Sequence, residues 1–442
     1  MPEHKRLNVK RHLWIVGGLA LSCVAAWALF AVFGEAMISA MYEGKSFSWL
    51  NAAISGQQEH DVNHYLALAS EKLRTITVYL FVGYFIFLVL DAIRAFIGLA
   101  RFFVPILSAF ILAELCFLLF LKQPFLIKNI PGIFSQVNYY YRNFQRDLIQ
   151  LNPQFSEYDP ELTYLLKPGE FYFENQEFRN KYNVNKAGLR DDAASLDSPK
   201  IIAAGDSYTM GWGVEQEEGY PQLLEKKTKM RVLNAGISSY GTVRELQVLD
   251  RLDLSNMKYL IIQYNVTDAY ENRTYLERDY KLPITSEDKY VERASRFQAK
   301  RRYFPGKMTW EISKSLFGLN EDKYERSSSH VEVSTEVRDF LRVLQVLGEE
   351  KLEGVQILFF ELPFWCETRS SFVTSVRNEI KSESSYPDYM KEMRVIDFHG
   401  KLQSDEHCFV LDDHMNSRGH ALVADTLAKV IASLEESELV RN

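Results

Sequence analysis

The chain has 442 residues and a formal net charge of -7, room for about two or three domains. The acidic balance, with no basic stripe and interleaved aromatics, excludes nucleic-acid binding as the main task. The averages conceal two regimes: residues before about 125 are apolar, aromatic and poor in charge, and the rest has the mix of an ordinary soluble domain.

Three apolar stretches predict membrane helices at about 13–33, 75–92 and 102–121. Each is long enough for a hydrocarbon core of about 30 Å. Lys5, Arg6, Lys10 and Arg11 precede the first stretch, and the small residues of Ile38-Ser39-Ala40 follow it. The apolar run is too long for a signal-peptide core and two more spans follow, so an uncleaved anchor is expected. The basic head favours an inside N-terminus, and Arg94 with Arg101 places the second turn inside as well. Everything after Lys122 is then carried outside. The alternative is that spans two and three form a buried hairpin of a soluble domain. Glu114 falls inside the third span, where an acid pairs, binds a partner or reaches the outer interface. Residues 34–74 are expected to form a polar outer loop.

Residues 126–180 are expected to connect the 1–125 membrane region to a domain at 181–442. Tyr139-Tyr140-Tyr141 suits a membrane–water interface there. From about Tyr182 strands and helices alternate. Strands are predicted at Lys200–Ala204, Arg231–Asn234, Tyr259–Tyr264, Val355–Leu362 and Val395–Phe398. Helices are predicted at Tyr220–Lys229, Thr242–Leu252, Glu336–Leu347 and Ala421–Leu434. This alternation implies an α/β domain with a parallel sheet covered on both faces. Residues about 270–331 break the pattern as an insert, read as a lid or acceptor surface or as a plain surface excursion.

The apolar run Ile201-Ile202-Ala203-Ala204 stops at Gly205-Asp206-Ser207, which sets a serine just past a strand's carboxyl end. Open α/β sheets place their sites there. Asp412-Asp413-His414-Met415-Asn416 lies near the C-terminus. Serine, histidine and aspartate together provide a nucleophile, its base and the base's orienter. Gly211 and Gly213 lack the remainder of a dinucleotide fingerprint. His399, His407 and His420 with Cys408 match no compact zinc spacing. No metal and no cofactor are expected. Cys23 and Cys116 fall in predicted spans. Cys366 and Cys408 admit one pairing, which an oxidising compartment favours; two buried free thiols are the alternative.

These blocks resemble the SGNH (GDSL) hydrolase family over most of residues 180–435. Gly205-Asp206-Ser207 is similar to its first block. Asn185-Lys186-Ala187-Gly188-Leu189-Arg190 upstream and Thr209, Gly211, Gly213 and Val214 downstream are similar to one subgroup. Asn234-Ala235-Gly236 looks like the second block, Asn265-Val266-Thr267-Asp268 stands at the third, and His414-Met415-Asn416 with Gly419-His420 at the last. The resemblance implies a three-layer α/β/α, flavodoxin-like domain behind the three-helix membrane region. It implies Ser207 as nucleophile, His414 as base, and the Ser207 and Gly236 N–H groups facing the oxyanion. Thr267 or Asn265 would add a side-chain donor, and Asp206 would brace the turn.

Two departures stand out. The family's acid position, three before the histidine, is Leu411 here. A D-x-H spacing resembles the SGNH-like polysaccharide O-acetyltransferases, so Asp412 is the expected orienter, with Asp413 pointing elsewhere. The position of the oxyanion asparagine is Thr267.

The implied function is hydrolysis of ester-linked acyl groups, expected to be O-acetyl, on an extracytoplasmic glycan through an acyl-serine. One alternative is an O-acyltransferase of a cell-envelope polysaccharide, supplied by a membrane acyltransferase partner. Another is a non-catalytic glycan-binding or assembly component. Asn265-Val266-Thr267 and Asn272-Arg273-Thr274 are sequons by pattern; a glycan at Asn265 would sit inside the expected site, which favours a bacterial host. The expected location is a bacterial inner membrane, with the N-terminus cytoplasmic and the large domain periplasmic or extracellular.

Overall fold

A computed structural model describes residues 9–43, 62–97, 100–316, 332–362 and 364–441. The chain divides into two compact units. The first comprises residues 1–122 with Phe304–Ser313, and the second Gln123–Tyr303 with Lys314–Asn442.

The first unit holds α1 (Val9–Glu43), α2 (Val62–Ile97) and α3 (Ala100–Lys122). Within them His12–Ala40, Ala69–Asp91 and Phe103–Lys122 are long and apolar enough to cross a membrane. Leu21, Val32, Phe85, Ile106 and Leu112 point outward, the inverse of a soluble fold. α1 and α2 run in opposite directions. His12 Nε2 meets Asp91 Oδ2 at 2.9 Å and its Nδ1 meets the Tyr84 hydroxyl at 3.0 Å. Farther along, Trp27 Nε1 donates to Thr77 Oγ1 at 3.3 Å. Residues 34–74 are not simply a loop: α1 continues to Glu43 and α2 starts at Val62. Glu71, Lys72 and Arg74 are good helix formers, so helix outlasts the apolar stretch. Residues 44–61, together with Lys5 and Arg6, lie outside the described residues.

The second unit is built on five parallel strands: β5 (Ile201–Gly205), β6 (Val232–Gly236), β7 (Tyr259–Tyr264), β8 (Gln356–Glu361) and β9 (Arg394–Ile396). Their order is β6-β5-β7-β8-β9. Alternate residues face opposite sides of a strand. Ile202, Ala204, Leu233, Leu260, Ile262 and Phe359 pack on one face with Val243, Phe340 and Val376 from three helices. Ile201, Ala203, Ile261, Leu358 and Phe360 pack on the other with Leu224, Val423, Leu427 and Ile431. The result is a three-layer α/β/α domain. The five predicted strands are present. The helix predicted at Thr242–Leu252 ends at Val248 and finishes as a 3-10 turn, Leu249–Arg251.

Residues 126–180 are not a separate connector. They carry the Pro131–Tyr140 helix and, running on to Val184, two antiparallel hairpins, β1–β2 (Ser156–Asp159, Thr163–Leu166) and β3–β4 (Gly169–Glu174, Arg179–Val184). Phe173, Phe178, Tyr182 and Val184 form a core with Met210 and Trp212. Tyr140 and Tyr141 are buried. Tyr140 and Tyr141 thus serve here as core residues. The insert is largely helical, with Asp268–Glu277, Glu287–Arg301 and Lys307–Leu316; residues 317–331 lie outside the described residues.

Candidate active site

β5 and β6 are in register, Gly205 opposite Gly236, so the chain leaves both strands at one rim of the sheet. After β5 the backbone turns at once into the short Ser207–Met210 helix. Asp206 caps it, its Oδ1 accepting the Tyr208 N–H at 2.9 Å. Burial pushes the Asp206 carboxyl up to about 6. A Cβ at Gly236 would stand 2.7 Å from the Thr209 carbonyl carbon, so only glycine lets this helix lie on the strand end. The following loop is stapled by Arg190. This fully buried guanidinium donates to the Gly211 carbonyl and to the Val214 carbonyl at 2.8 Å, and lies 3.6 Å over the Tyr182 ring. The Asn185–Arg190 motif is therefore scaffold for the serine loop.

The C-terminal loop meets that rim. Ser207 Oγ lies 2.7 Å from His414 Nε2, and His414 Nδ1 lies 2.5 Å from Asp412 Oδ1. All three side chains are buried. The other Asp412 oxygen, Oδ2, accepts from the Tyr141 hydroxyl at 2.8 Å and from Trp212 Nε1 at 3.2 Å. The imidazole sits between the Trp212 ring, centroids 5.0 Å apart and near parallel, and the Tyr208 ring at 4.8 Å. The loop is clamped by Glu177, whose carboxylate accepts the Val410, Leu411 and Asp412 N–H groups at 2.7–2.8 Å. Burial raises the Glu177 carboxyl to about 7 against those bonds. A disulfide joins Cys366 to Cys408 at the start of the same loop. Leu411 is buried and its carbonyl accepts from Asn138 Nδ2 at 2.7 Å.

Asp413 does not point elsewhere. Its Oδ1 lies 3.2 Å from His414 Nδ1 and 2.8 Å from Arg146 Nη1, and its Oδ2 lies 3.0 Å from Arg142 Nη2. Burial pushes the Asp413 carboxyl up, but Arg146 and His414 outweigh it and hold it far below the usual range. Asp412 behaves alike: burial raises it, and the charge and hydrogen bond of His414 bring it below its ordinary value. Burial alone would lower the imidazole. The Asp412 and Asp413 carboxylates overcome that and set His414 at about 9. Asp412, Asp413 and His414 are close enough to hold a cation. Their acceptor atoms already face Tyr141, Trp212, Arg142 and Arg146, so the donors present fit a hydrogen-bonded relay.

The expected oxyanion donors are placed differently from one another. Ser207 opens its helix, so its N–H has no intrahelical acceptor. The Gly236 N–H, expected to face the oxyanion, instead donates to Asn234 Oδ1 at 3.0 Å. Asn265 is buried, and its Nδ2 donates to the Leu362 carbonyl at 3.1 Å. Thr267 is exposed and its hydroxyl donates to Asn265 Oδ1 at 3.2 Å. Asn265 and Thr267 thus form a self-contained turn, backed by Asp268, whose Oδ2 accepts from Thr242 Oγ1. Beyond β6, Ser239 takes a left-handed φ of 61°. Its hydroxyl accepts from Gln150 Nε2 at 2.7 Å and its carbonyl from Arg244 Nη2 at 2.9 Å. The insert reaches the residue that holds this loop: the Tyr290 hydroxyl donates to the Gln150 carbonyl at 2.9 Å. His420 accepts the Tyr220 N–H, and burial drops it to about 3. It is a structural imidazole.

Sequence reading assigned none of Tyr141, Arg142, Arg146, Glu177 and Trp212 to the site. All lie 200 or more residues from the acids they contact. Two arginines four residues apart in an otherwise aromatic stretch, Arg142 and Arg146, are a signal that could have drawn attention to them.

No family model matches the chain, and no curated protein matches it. Among solved structures, it is similar to a G-D-S-L family protein from Desulfitobacterium hafniense DCB-2, described as lipolytic. The two are 17% identical over 52% of this chain and 99% of the other, with a TM-score of 0.30.

Proposed function

We propose that this chain is a membrane-anchored serine hydrolase of the SGNH (GDSL) type that removes ester-linked acyl groups through an acyl-serine on Ser207. The observation that carries the reading is the unbroken chain from Ser207 Oγ to His414 at 2.7 Å and on to Asp412 at 2.5 Å.

In this mechanism Ser207 Oγ attacks the ester carbonyl while His414 Nε2 takes its proton. Asp412 holds the Nδ1–H and stabilises the imidazolium. The Ser207 N–H meets the developing oxyanion. The Gly236 N–H stays engaged with Asn234 Oδ1, so in this mechanism the Ser207 N–H is the backbone donor assigned to the oxyanion. Collapse of the tetrahedral intermediate passes the imidazolium proton to the departing alcohol. Water, deprotonated by His414, then cleaves the acyl-serine, releasing the acid and restoring the Ser207 hydroxyl.

The base must be neutral to act. Its two carboxylate neighbours favour the charged form, so kcat/KM should rise with pH along a limb centred near the His414 value of about 9. Asp413→Asn removes one of those charges and lowers the midpoint. Arg146→Met leaves Asp413 less compensated and raises it. A pH–rate profile of the three proteins on one acetyl ester checks this; a wild-type midpoint near 6.5, unmoved by either change, contradicts it.

The substrate we propose is an O-acetyl group on an extracytoplasmic glycan, at a bacterial inner membrane with the N-terminus inside. The Cys366–Cys408 disulfide supports an oxidising compartment for the domain. A second reading, O-acyltransfer to a polysaccharide hydroxyl with a membrane acyltransferase as donor partner, draws on the acid standing two residues before His414. The purified chain given an acetyl ester with and without an oligosaccharide acceptor separates the two. Acetate release unaffected by acceptor supports the hydrolase, and acetylated sugar supports the transferase.

A further inference from the structure

We propose that Phe304–Ser313 is a re-entrant membrane segment, clamped to the third span by Glu114 and turning Phe304 and Trp310 to lipid acyl chains. The inference rests on the reading of α1–α3 as membrane spans. It concerns a stretch of the insert that groups with those helices rather than with the sheet domain.

Depth comes first. The third span ends at Lys122. At 1.5 Å per residue, Glu114 stands about 12 Å inside that end and Phe110 about 18 Å, against a hydrocarbon core of about 30 Å. The segment touches both. Met308 and Thr309 donate their N–H groups to the Glu114 carboxylate at 3.3 and 2.7 Å, and Thr309 Oγ1 adds a third bond at 2.7 Å. Gly306, at φ 85°, lies so close to Phe110 that a Cβ would meet its Cε1 at 2.7 Å.

Hydrogen bonding fits that depth. In hydrocarbon no water can satisfy the first N–H groups of a helix. Here each has a protein acceptor. The Lys307 N–H goes to the Phe304 carbonyl, those of Met308 and Thr309 to Glu114, and that of Trp310 to the Gly306 carbonyl. Pro305 has no N–H to satisfy. The acid in turn gains three donors at the positive end of a helix, the partner an intramembrane carboxylate requires. Each feature removes the other's penalty.

Polarity is inverted as well. Within the segment the charged Lys307 and Glu311 are buried, at 4% and 8% exposure, while Phe304 and Trp310 are 52% and 55% exposed. In water the reverse is expected. These aromatics are as outward-facing as span residues such as Leu112, 62% exposed, and the segment is held to the same span through Glu114 and Phe110, so the occupant is the bilayer interior.

The test uses the full chain in phosphatidylcholine vesicles, with Cys23→Ala and Cys116→Ala as background. Nitroxide is attached separately at Trp310→Cys, Phe304→Cys, Leu112→Cys and Tyr270→Cys, and collision rates with oxygen and an aqueous nickel chelate are compared. Oxygen should dominate at positions 310, 304 and 112, and the chelate at 270. Position 112 in lipid with 304 and 310 in water overturns the segment alone, and is also the result for a face that instead awaits a protein partner. Position 112 in water overturns the spans and the segment together. Glu114→Leu should release the segment and open position 310 to the chelate, whereas Glu114→Gln, still an acceptor, should keep it in lipid. An unchanged position 310 in Glu114→Leu refutes the clamp.

Discussion

Ser207→Ala is expected to lower kcat on an acetyl ester by about 10⁶-fold, the loss seen when a triad nucleophile is removed. The hydroxyl is the atom that bonds to the acyl carbon, and no neighbouring group can replace it. Asp206, the nearest acid in sequence, is committed to the Tyr208 N–H. His414→Ala should cost about as much, because serine and base act as a unit. The protein should keep its fold, since the Ser207 side chain has His414 as its hydrogen-bond partner. Stopped-time hydrolysis with the wild type, the two variants and the double variant checks this. A double variant no worse than either single one is the expected signature of shared chemistry.

Asp412→Asn is expected to cost about 10⁴-fold, with little change in structure. The loss follows from the partners of the carboxylate. Tyr141 and Trp212 both donate to Oδ2. An asparagine will therefore turn its amide oxygen to them and its NH₂ toward His414 Nδ1. That arrangement forces the proton onto Nε2, where the imidazole can no longer accept from Ser207. Asp413→Asn is the contrast: its charge is matched by Arg142 and Arg146, so the chief effect is the shift of the pH limb. Parallel pH–rate profiles separate the two acids. Equal losses at the pH optimum would mean that both carboxylates share the orienting role.

Much of the fold is legible along the chain because the relevant signals are local. The run Ile201–Ala204, all apolar, and Tyr259–Tyr264, apolar but for Gln263, have the length and continuity of strands buried on two faces. The serine sits where a strand must end, at Gly205-Asp206. The acid and base share one short loop, so Asp412 and His414 were legible as a pair. What supports them was not legible. Tyr141 lies in an aromatic run that composition alone assigns equally to an interface belt. Only the tertiary fold brings it, with Arg142 and Arg146, beneath a loop some 270 residues away. The Asp413 orientation escaped a simple alternation rule because the loop is irregular, held by Glu177 rather than by a strand ladder. Gly236 matched a motif position, yet the use of its N–H depended on an Asn234 side chain turned back on the backbone. The insert showed weak periodicity because one part of it, Phe304–Ser313, packs in a different unit from its neighbours.

The most direct test of the Ser207 relay is to trap its covalent intermediate. The full chain, mixed with an activated acetyl ester and quenched in acid, is digested and its peptides weighed. One acetyl group on the peptide containing Ser207, absent in Ser207→Ala and accumulating in proportion to the initial burst, is the predicted result. Hydrolysis that continues undiminished in Ser207→Ala, with no acylated serine peptide in the wild type, would contradict it.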